Sequence, residues 1–328
     1  MSEKKIKCLF LACSGVRVKS KELATMGVSL PGFVERGKVI ASRPSLALLT
    51  LAAHTPADWD VSYMEMPDMD VDTLYRIDAD VVAISSYTAQ INMAYEIADI
   101  LRSRNITVVL GGLHVSQLPE EASKHANTVI VGEGEYAWEA FCEDYTLGKA
   151  KQRYNASDYG LFDFKDSKIP RYDLLNFDNY NRITVQTQRG CPRNCGFCAA
   201  SHTISNFKCK PVEQIVKEIQ SIAERWPHPF IEFADDNTFI NREWSKKLMR
   251  AIEPLNIRWF TETDISVAED DELLELISRA GCYQILIGLE SASMQSLDAA
   301  DPVGWKQKQF YKYKSAIDKI QSYGISVN

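Results

Sequence analysis

The sequence of 328 residues has no long apolar run and no excess of basic residues. Its best apolar run, from Ser45 to Ala53, is far shorter than the roughly 18 residues that a membrane span requires. Lys and Arg total 37 against 44 Asp and Glu, so the formal net charge is −7. That balance offers no basic surface for a phosphate backbone. We therefore expect neither an integral membrane protein nor a nucleic-acid-binding protein.

Disulfide-rich and exported classes are also not expected. Eight cysteines in 328 residues are too sparse for a small disulfide scaffold. The apolar stretch from Cys8 to Cys13 is only six residues long, below the roughly 7 to 15 of a signal peptide. We interpret it as a buried first strand and expect a cytoplasmic protein whose cysteines are thiols or metal ligands. With 45% hydrophobic and 25% charged residues, the chain has the composition of a globular protein.

The first part of the chain alternates short apolar runs with amphipathic stretches, which is typical of a parallel α/β sheet. We predict a Rossmann-like, doubly wound α/β domain over residues 1–150. Its predicted strands are 6–13, 61–64, 81–85, 107–110 and 128–131, and its predicted helices are 45–53, 93–104, 120–125 and 136–145.

Small and polar residues follow three of these predicted strands. In a doubly wound sheet, ligands bind beyond the carboxyl ends of the strands, so these loops are the candidate ligand site. No G-x-G-x-x-G follows the first strand, so a dinucleotide site is not expected. The candidate residues are Ser85, Ser86, Tyr87, Gly111, Gly112, Leu113, His114, Gly132, Glu133 and Gly134.

The alternation stops over residues 151–180, which we interpret as a linker, and resumes over 181–328. Four β/α units and the first residues of a fifth strand predict a partial TIM-type (β/α) barrel, truncated in strand 5. Its predicted strands are 183–188, 230–234, 257–262, 283–289 and the one opening at 325, and its predicted helices are 211–226, 242–254, 271–280 and 307–323.

Three cysteines crowd into the loop after the first barrel strand, in the run Cys191-Pro-Arg-Asn-Cys195-Gly-Phe-Cys198. A structural zinc site needs four ligands, and only Cys209 or His202 is near enough in sequence to be the fourth. A redox C-x-x-C pair would leave Cys191 unexplained. Three thiolates instead favour an iron–sulfur cube with one iron left open.

At this loop the sequence resembles the radical S-adenosylmethionine (SAM) superfamily, whose signature is C-x3-C-x2-C, usually with an aromatic residue before the last cysteine. Cys191, Cys195, Phe197 and Cys198 match it position by position. The resemblance implies that the three cysteines bind a [4Fe-4S] cluster and that Phe197 lies near the adenine of SAM. It also implies reductive cleavage of SAM to a 5′-deoxyadenosyl radical, with an electron from a flavodoxin or ferredoxin.

The same resemblance implies further contacts to SAM at the ends of the barrel strands. The candidates are Asp235, Asp236, Glu262, Glu290 and Ser291. The alternatives are a helix-capping role for the two aspartates and plain surface exposure for the glutamates. Arg189, just before the cysteine loop, is either a counter-charge for the cluster or a solvated loop residue.

A Rossmann-like domain ahead of such a barrel resembles the cobalamin (B12)-binding branch of the superfamily, called class B where its members methylate. The resemblance rests on the three loops after the predicted strands and implies that they contact cobalamin. Many cobalamin proteins carry Asp-x-His-x-x-Gly after the first strand, whereas residues 13–19 read C-S-G-V-R-V-K. The lower axial ligand of cobalt is therefore left open, and a degenerate domain that only docks the barrel is the alternative.

The expected function is methyl transfer from methylcobalamin to an unactivated carbon or phosphorus of a small metabolite. A non-methylating member, such as a tetrapyrrole oxidative cyclase, fits the same architecture. A non-catalytic iron–sulfur or cobalamin sensor or carrier is the alternative from another class, although such clusters normally use four cysteines.

Overall fold

The computed structural model describes residues 5–13, 43–193, 195–198, 206–301 and 304–328. Two parallel sheets organise these residues, one in each half of the chain. In the described ranges, no helix is both long enough and apolar enough to cross a membrane.

The N-terminal sheet has six parallel strands in the order β2-β1-β3-β4-β5-β6. Because the order reverses at β1, the loops after β1 and β3 diverge and open a crevice, the usual ligand position in such sheets. Ala12 and Ser85 are paired at this point. The expected doubly wound class is confirmed. The strands are β1 (Lys7–Ala12), β2 (Asp60–Glu65), β3 (Val81–Ser85), β4 (Thr107–Gly111), β5 (Thr128–Val131) and β6 (Arg153–Asn155).

Helices cover both faces of this sheet, which explains why strand β3 is buried along most of its length. Helix α3 (Ile91–Ser103) packs on the sheet through a stripe of buried residues at helical spacing, which includes Ile91, Ala94, Ala98 and Leu101. The helices are α1 (Leu46–Ala53), α2 (Val71–Arg76), α3 (Ile91–Ser103), α4 (Leu113–Gln117), α5 (Pro119–Ala122) and α6 (Gly134–Thr146).

Strand β6 lies in the segment that we interpreted as a linker. It pairs in parallel with β5, from Val129 beside Arg153 to Val131 beside Asn155. Its central Tyr154 is fully buried, and its hydroxyl donates to Asp144 at 2.9 Å. The N-terminal sheet therefore continues past residue 150, and the rest of the segment forms short 3-10 turns. The exact division of the chain into domains stays a prediction.

The second sheet has five parallel strands in the order β7-β10-β11-β12-β13. Across the sheet, its strands therefore follow one another in chain order. This is the strand order of a (β/α) barrel. A two-stranded antiparallel ribbon, β8 with β9, flanks it. The strands are β7 (Ile183–Val185), β8 (Gln188–Arg189), β9 (Lys208–Cys209), β10 (Phe230–Phe233), β11 (Arg258–Thr263), β12 (Cys282–Ile287) and β13 (Ser326–Val327).

Side chains alternate between the two faces of the barrel strands. Ile231, Phe233 and Trp259 are buried in the same apolar cluster as the helix residues Ile219 and Leu248. Glu232 and Glu262 occupy the alternate positions and so face the other, concave side. The helices are α7 (Val212–Ala223), α8 (Arg242–Ile252), α9 (Asp271–Arg279), α10 (Met294–Ala300), α11 (Trp305–Gln309) and α12 (Tyr313–Ser322).

Candidate cluster and cofactor site

The three-cysteine loop leaves the barrel through β8 and returns through β9. Cys191, Cys195 and Cys198 are half-buried and outside any disulfide, and the Cys198 N–H donates to the Cys195 carbonyl at 3.0 Å. Burial raises the pKa of Cys195, the ammonium of Lys306 opposes that rise, and the neighbouring thiols of Cys191 and Cys198 add to it. Cys191 and Cys198 therefore both affect the ionisation of Cys195.

The alternative of a single zinc ion finds no ligand set among the described residues. Within the ranges that the structure describes, no three Cys, His, Asp or Glu side chains converge on one ion. In a cube each thiolate binds a different iron, so the sulfurs stand further apart. Of the two candidates for a fourth zinc ligand, Cys209 contacts the Gln188 side-chain oxygen at 3.6 Å, and His202 lies outside the described residues.

Asp235 fastens the start of this loop to the barrel. The Thr187 and Gln188 N–H groups donate to one of its carboxylate oxygens at 2.8 and 2.9 Å, and the hydroxyls of Thr187 and Thr238 donate to the other. Burial raises the pKa of Asp235 to about 6, although these hydrogen bonds oppose the rise. The SAM contact expected of Asp235 stays a prediction. In this structure its oxygens accept hydrogen bonds from the residues that lead into the loop.

Asp236 and Glu262, the next two candidates, lie at neighbouring strand ends. Asp236 accepts a hydrogen bond from the Gly190 N–H, directly before Cys191. Partial desolvation and the Glu232 carboxylate raise the pKa of Glu262. Both therefore border the cysteine loop or the concave face of the barrel, and their contact with SAM stays a prediction.

Glu290 follows strand β12 in a left-handed backbone conformation, with φ of 63°. Its carboxylate pairs with the Lys306 ammonium at 2.7 Å, and that ammonium also donates to the Gly288 carbonyl at 3.0 Å. Lys306 is buried, and its nitrogen lies 6.0 Å from the ring centre of Phe197, which is exposed. Glu290 thus holds a cation beside the expected adenine contact, and Ser291 lies next to it in the same loop.

Three residues that the sequence did not single out, Asp264, Asn237 and Trp305, contact the cysteine loop. Arg193, within the C-x3-C run, lies 3.9 Å from the ring centre of Trp305 and 3.2 Å from the Asp264 carboxylate. The Asn237 amide donates to the same carboxylate at 2.8 Å and points at the Cys191 sulfur, 4.0 Å away. Strand-end position could have identified Asp264, but no local signal pairs it with Arg193.

The loops expected to contact cobalamin lie side by side at the carboxyl edge of the N-terminal sheet. Gly112 has φ of 102°, and a Cβ there would stand 2.9 Å from the Ser85 hydroxyl and 3.1 Å from the Ser86 carbonyl. Glycine is therefore required to bring the two loops together. Gly111 ends β4 beside Ser85, and Tyr87 is 60% exposed at this edge. A shallow edge of small residues with an exposed aromatic ring fits a large planar cofactor.

His114, another candidate for cobalamin contact, has partners within the protein. His114, beside Leu113 in α4, is buried, and its ring nitrogens lie 3.1 Å from the Thr88 hydroxyl and 3.2 Å from the Glu121 carboxylate. The region after β1 that lacks the axial-histidine motif, residues 14–19, lies outside the described residues. The contacts of His114 and Leu113 with cobalamin stay predictions.

Gly132, Glu133 and Gly134 form the loop from β5 into α6, and this loop meets the cysteine loop. Gly132 has φ of 91°, and a Cβ on Gly134 would stand 3.1 Å from Leu51. The Glu133 carboxylate pairs with Arg189 at 2.6 Å and with Lys208 at 2.5 Å. Arg189 was expected to be either a counter-charge for the cluster or a solvated loop residue, and neither expectation included a partner from the other half of the chain.

Comparison with known proteins agrees with both halves of this arrangement. The model of the radical SAM superfamily matches residues 185–328, and the model of the B12 binding domain matches residues 38–142. The first model implies a [4Fe-4S] cluster and SAM, and the second implies cobalamin.

Curated relatives with similar sequences include a methyltransferase and a cyclase. The bacteriochlorophyllide d C-8(2)-methyltransferase of Chlorobaculum tepidum is 28% identical over 77% of this chain and 58% of its own length. The anaerobic magnesium-protoporphyrin IX monomethyl ester cyclase of Cereibacter sphaeroides is 24% identical over 69% of this chain and 42% of its own length. The chain thus spans about half the length of these relatives.

Among solved structures, the radical S-adenosylmethionine methyltransferase TsrM from Kitasatospora setae matches 98% of this chain and 66% of its own, with a TM-score of 0.74 and 16% identity. At that identity the likeness concerns the fold alone. The cysteine loop and the family models agree, and the chain therefore carries a radical SAM domain over residues 185–328, preceded by a B12-binding domain over residues 38–142.

Proposed function

We propose that this chain is the cobalamin- and SAM-binding part of a methyltransferase that acts on a carbon atom of a small molecule. The observation that carries the proposal is the contact of Arg189, directly before the cysteine loop, with Glu133 and Glu135 of the B12-binding half. Methyl transfer to an unactivated carbon needs a radical on the acceptor and a methyl donor near the same atom, so two cofactor sites that share a wall suit this reaction. The name of the first relative, a C-8(2)-methyltransferase, supports a carbon acceptor.

Separate groups of residues would bind the cluster and SAM. Cys191, Cys195 and Cys198 would hold a [4Fe-4S] cluster, which supplies the electron that cleaves SAM, while cobalamin supplies the methyl group. Lys306 and Glu290 would form the polar wall of the SAM site opposite Phe197. A flavodoxin or ferredoxin as electron donor, and a cytoplasmic location, remain predictions from the sequence.

The test begins with anaerobic reconstitution of the purified chain with iron, sulfide and hydroxocobalamin. After reduction with SAM, we expect 5′-deoxyadenosine from the radical branch and S-adenosylhomocysteine from methylation of the reduced cobalt. C195A is expected to lose the visible absorbance of the cluster and to form no 5′-deoxyadenosine. C209A, at a thiol outside the three-cysteine run, is the matched control and is expected to retain both. A C195A protein that keeps a four-iron cluster contradicts the ligand assignment.

The second candidate function is a non-methylating reaction such as oxidative ring closure, favoured by the cyclase among the relatives. The same incubation separates the two functions. A cyclase would form 5′-deoxyadenosine without S-adenosylhomocysteine, because no methyl group leaves SAM. A protein that shows no cobalamin absorbance after the unbound hydroxocobalamin is removed would instead refute the cobalamin assignment for both.

A further inference from the structure

Two buried carboxylates and two partly buried cations join the two halves of the chain, and we name Glu133, Glu135, Arg189 and Lys208 the interdomain ion cluster. The Arg189 guanidinium contacts Glu133 at 2.6 Å and Glu135 at 2.7 and 3.3 Å. Exposed fractions of the side chains are 16% for Arg189, 6% for Glu133 and 5% for Glu135. Water therefore screens these pairs far less than it screens a surface salt bridge.

Aromatic rings close the interdomain ion cluster on one side. The Arg189 guanidinium lies 4.9 Å from the ring centre of Phe164 and 5.9 Å from that of Phe162. The Lys208 ammonium donates to the Phe162 carbonyl at 2.7 Å. The segment between the two halves thus covers the charges.

The position of the interdomain ion cluster in the chain gives it a specific consequence. Arg189 lies two residues before Cys191, on the strand that enters the cysteine loop, and Lys208 lies on the strand by which the chain returns. Arg189 and Lys208 both pair with Glu133, which is the N-cap residue of helix α6 and follows Gly132. The cysteine loop is therefore held from both arms by the same loop that we expect to contact cobalamin.

Stability alone does not explain such an arrangement. Burying charges costs hydration free energy that the ion pairs roughly return, so a buried network adds little net stability, and in some proteins such a network instead fixes one relative geometry. The planar guanidinium fork strengthens that specification, because it binds two carboxylates in fixed directions. Burial opposes ionisation of Glu135, yet Arg189 outweighs it and holds the pKa of that carboxyl below its usual value.

We propose that Arg189 is a positioning residue, which acts through Glu133 and Glu135 to fix the cysteine loop against the cobalamin-side loop and so sets the separation of the two cofactors. The inference rests on the proposed function, since it assumes that the N-terminal half binds cobalamin. It concerns the chain's own geometry, because a misplacement of about 1 Å between reacting groups can cost on the order of a hundredfold in rate.

The test compares R189M with the conservative variant R189K and with the control R225M, whose parent side chain lies on the surface and donates to the Ser221 carbonyl. Each protein is loaded with cluster and cobalamin, both are reduced to paramagnetic states, and the relaxation of the cob(II)alamin signal by the reduced cluster is measured. We expect one relaxation rate in the wild type and in R225M. We expect R189M to lose this single rate and give a spread of slower ones, and R189K, which keeps the charge without the fork, to fall between them.

A second measurement needs no cobalamin. Hydrogen exchange of the backbone in segments 132–135 and 187–190 is expected to become about tenfold faster or more in R189M, because a broken buried pair frees both loops, and to stay unchanged in R225M. If R189M fails to fold or to hold a cluster, E135Q takes its place, since it weakens the network and leaves the Arg189–Glu133 pair intact. Faster exchange in both segments then supports the proposal.

The proposal is overturned if the folded variant shows wild-type exchange in both segments, or if R189M with both cofactors bound keeps the wild-type relaxation rate. Failure of the wild type to bind hydroxocobalamin refutes the proposed function instead. In that case the exchange measurement alone decides whether the interdomain ion cluster fixes the two loops.

Discussion

Replacement of Asp235 by asparagine is predicted to remove a pH-dependent cost of folding. Both backbone N–H groups, from Thr187 and Gln188, donate to the same oxygen of Asp235. Asparagine can present its one carbonyl oxygen there and turn its amide toward the hydroxyls of Thr187 and Thr238, which can rotate to accept. The variant thus keeps the loop connections and loses the buried charge.

The magnitude follows from the pKa of Asp235, which burial raises from 3.8 to about 6. A difference of about two pKa units corresponds to about 3 kcal/mol at 1.36 kcal/mol per unit. Between about pH 4 and pH 6 the folded chain keeps a proton that the unfolded chain has lost, so this group lowers the free energy of unfolding as the pH rises. D235N is therefore expected to gain about 3 kcal/mol relative to wild type between about pH 4 and pH 7.

The assay is urea unfolding of the cofactor-free chain at several pH values, followed by circular dichroism. D235A, which leaves the Thr187 and Gln188 N–H groups without an acceptor, should be destabilised at every pH, by about 1–3 kcal/mol for each unsatisfied group. D318N, at an exposed helix position, is the control and should follow wild type. A difference between D235N and wild type that stays constant from pH 4 to pH 7 would refute the reasoning.

Three further substitutions test the packing that supports the site, each by the urea midpoint of the cofactor-free chain. Gly281→Ala should cost at least about 3 kcal/mol, because φ is 90° and the new Cβ would overlap the backbone carbonyl oxygen of Ile257. Lys210→Met should cost about 3–5 kcal/mol by leaving the buried Glu218 carboxylate without its partner at 2.8 Å, whereas Lys247→Met, at an exposed pair, should cost under about 1 kcal/mol. Gly112→Ala should cost about 1–3 kcal/mol, since φ is 102° and the neighbouring loop leaves no room for a methyl group. Wild-type midpoints in these variants would contradict the glycine and buried-pair assignments.

Hydrophobic periodicity was enough to predict most of the fold. Strands β3 and β5 begin and end at the predicted residues, and helix α9 ends one residue before its predicted end. Strand β6 escaped prediction because three residues, Arg-Tyr-Asn, are too few to show an alternation. Helix α10, Met294–Ala300, also went unpredicted, and its N-cap is Ser293, whose hydroxyl accepts from the Ser296 N–H.

Only part of the candidate site could be predicted, because some of its features depend on neighbouring residues and others on residues far apart in the sequence. The spacing of Cys191, Cys195 and Cys198 is local, so the sequence alone could suggest a cluster loop. The partners that orient this loop are remote in sequence: Arg193 and Asp264 are 71 residues apart, and Arg189 and Glu133 are 56 apart. Nothing in a charge pattern states which carboxylate an arginine will meet, because the topology of the two sheets decides it.

The cysteine loop is held by three anchors. Asp235 acts on the backbone before the loop, Glu133 and Glu135 act on Arg189, and Asp264 acts on Arg193 inside it. Each anchor is a carboxylate that binds an N–H group, so none of the three anchors uses a cysteine sulfur as its partner. Because the anchors come from both halves of the chain, a shift of one half against the other would strain the loop that carries the cluster. The geometry of the cluster site and the packing of the two halves are therefore coupled.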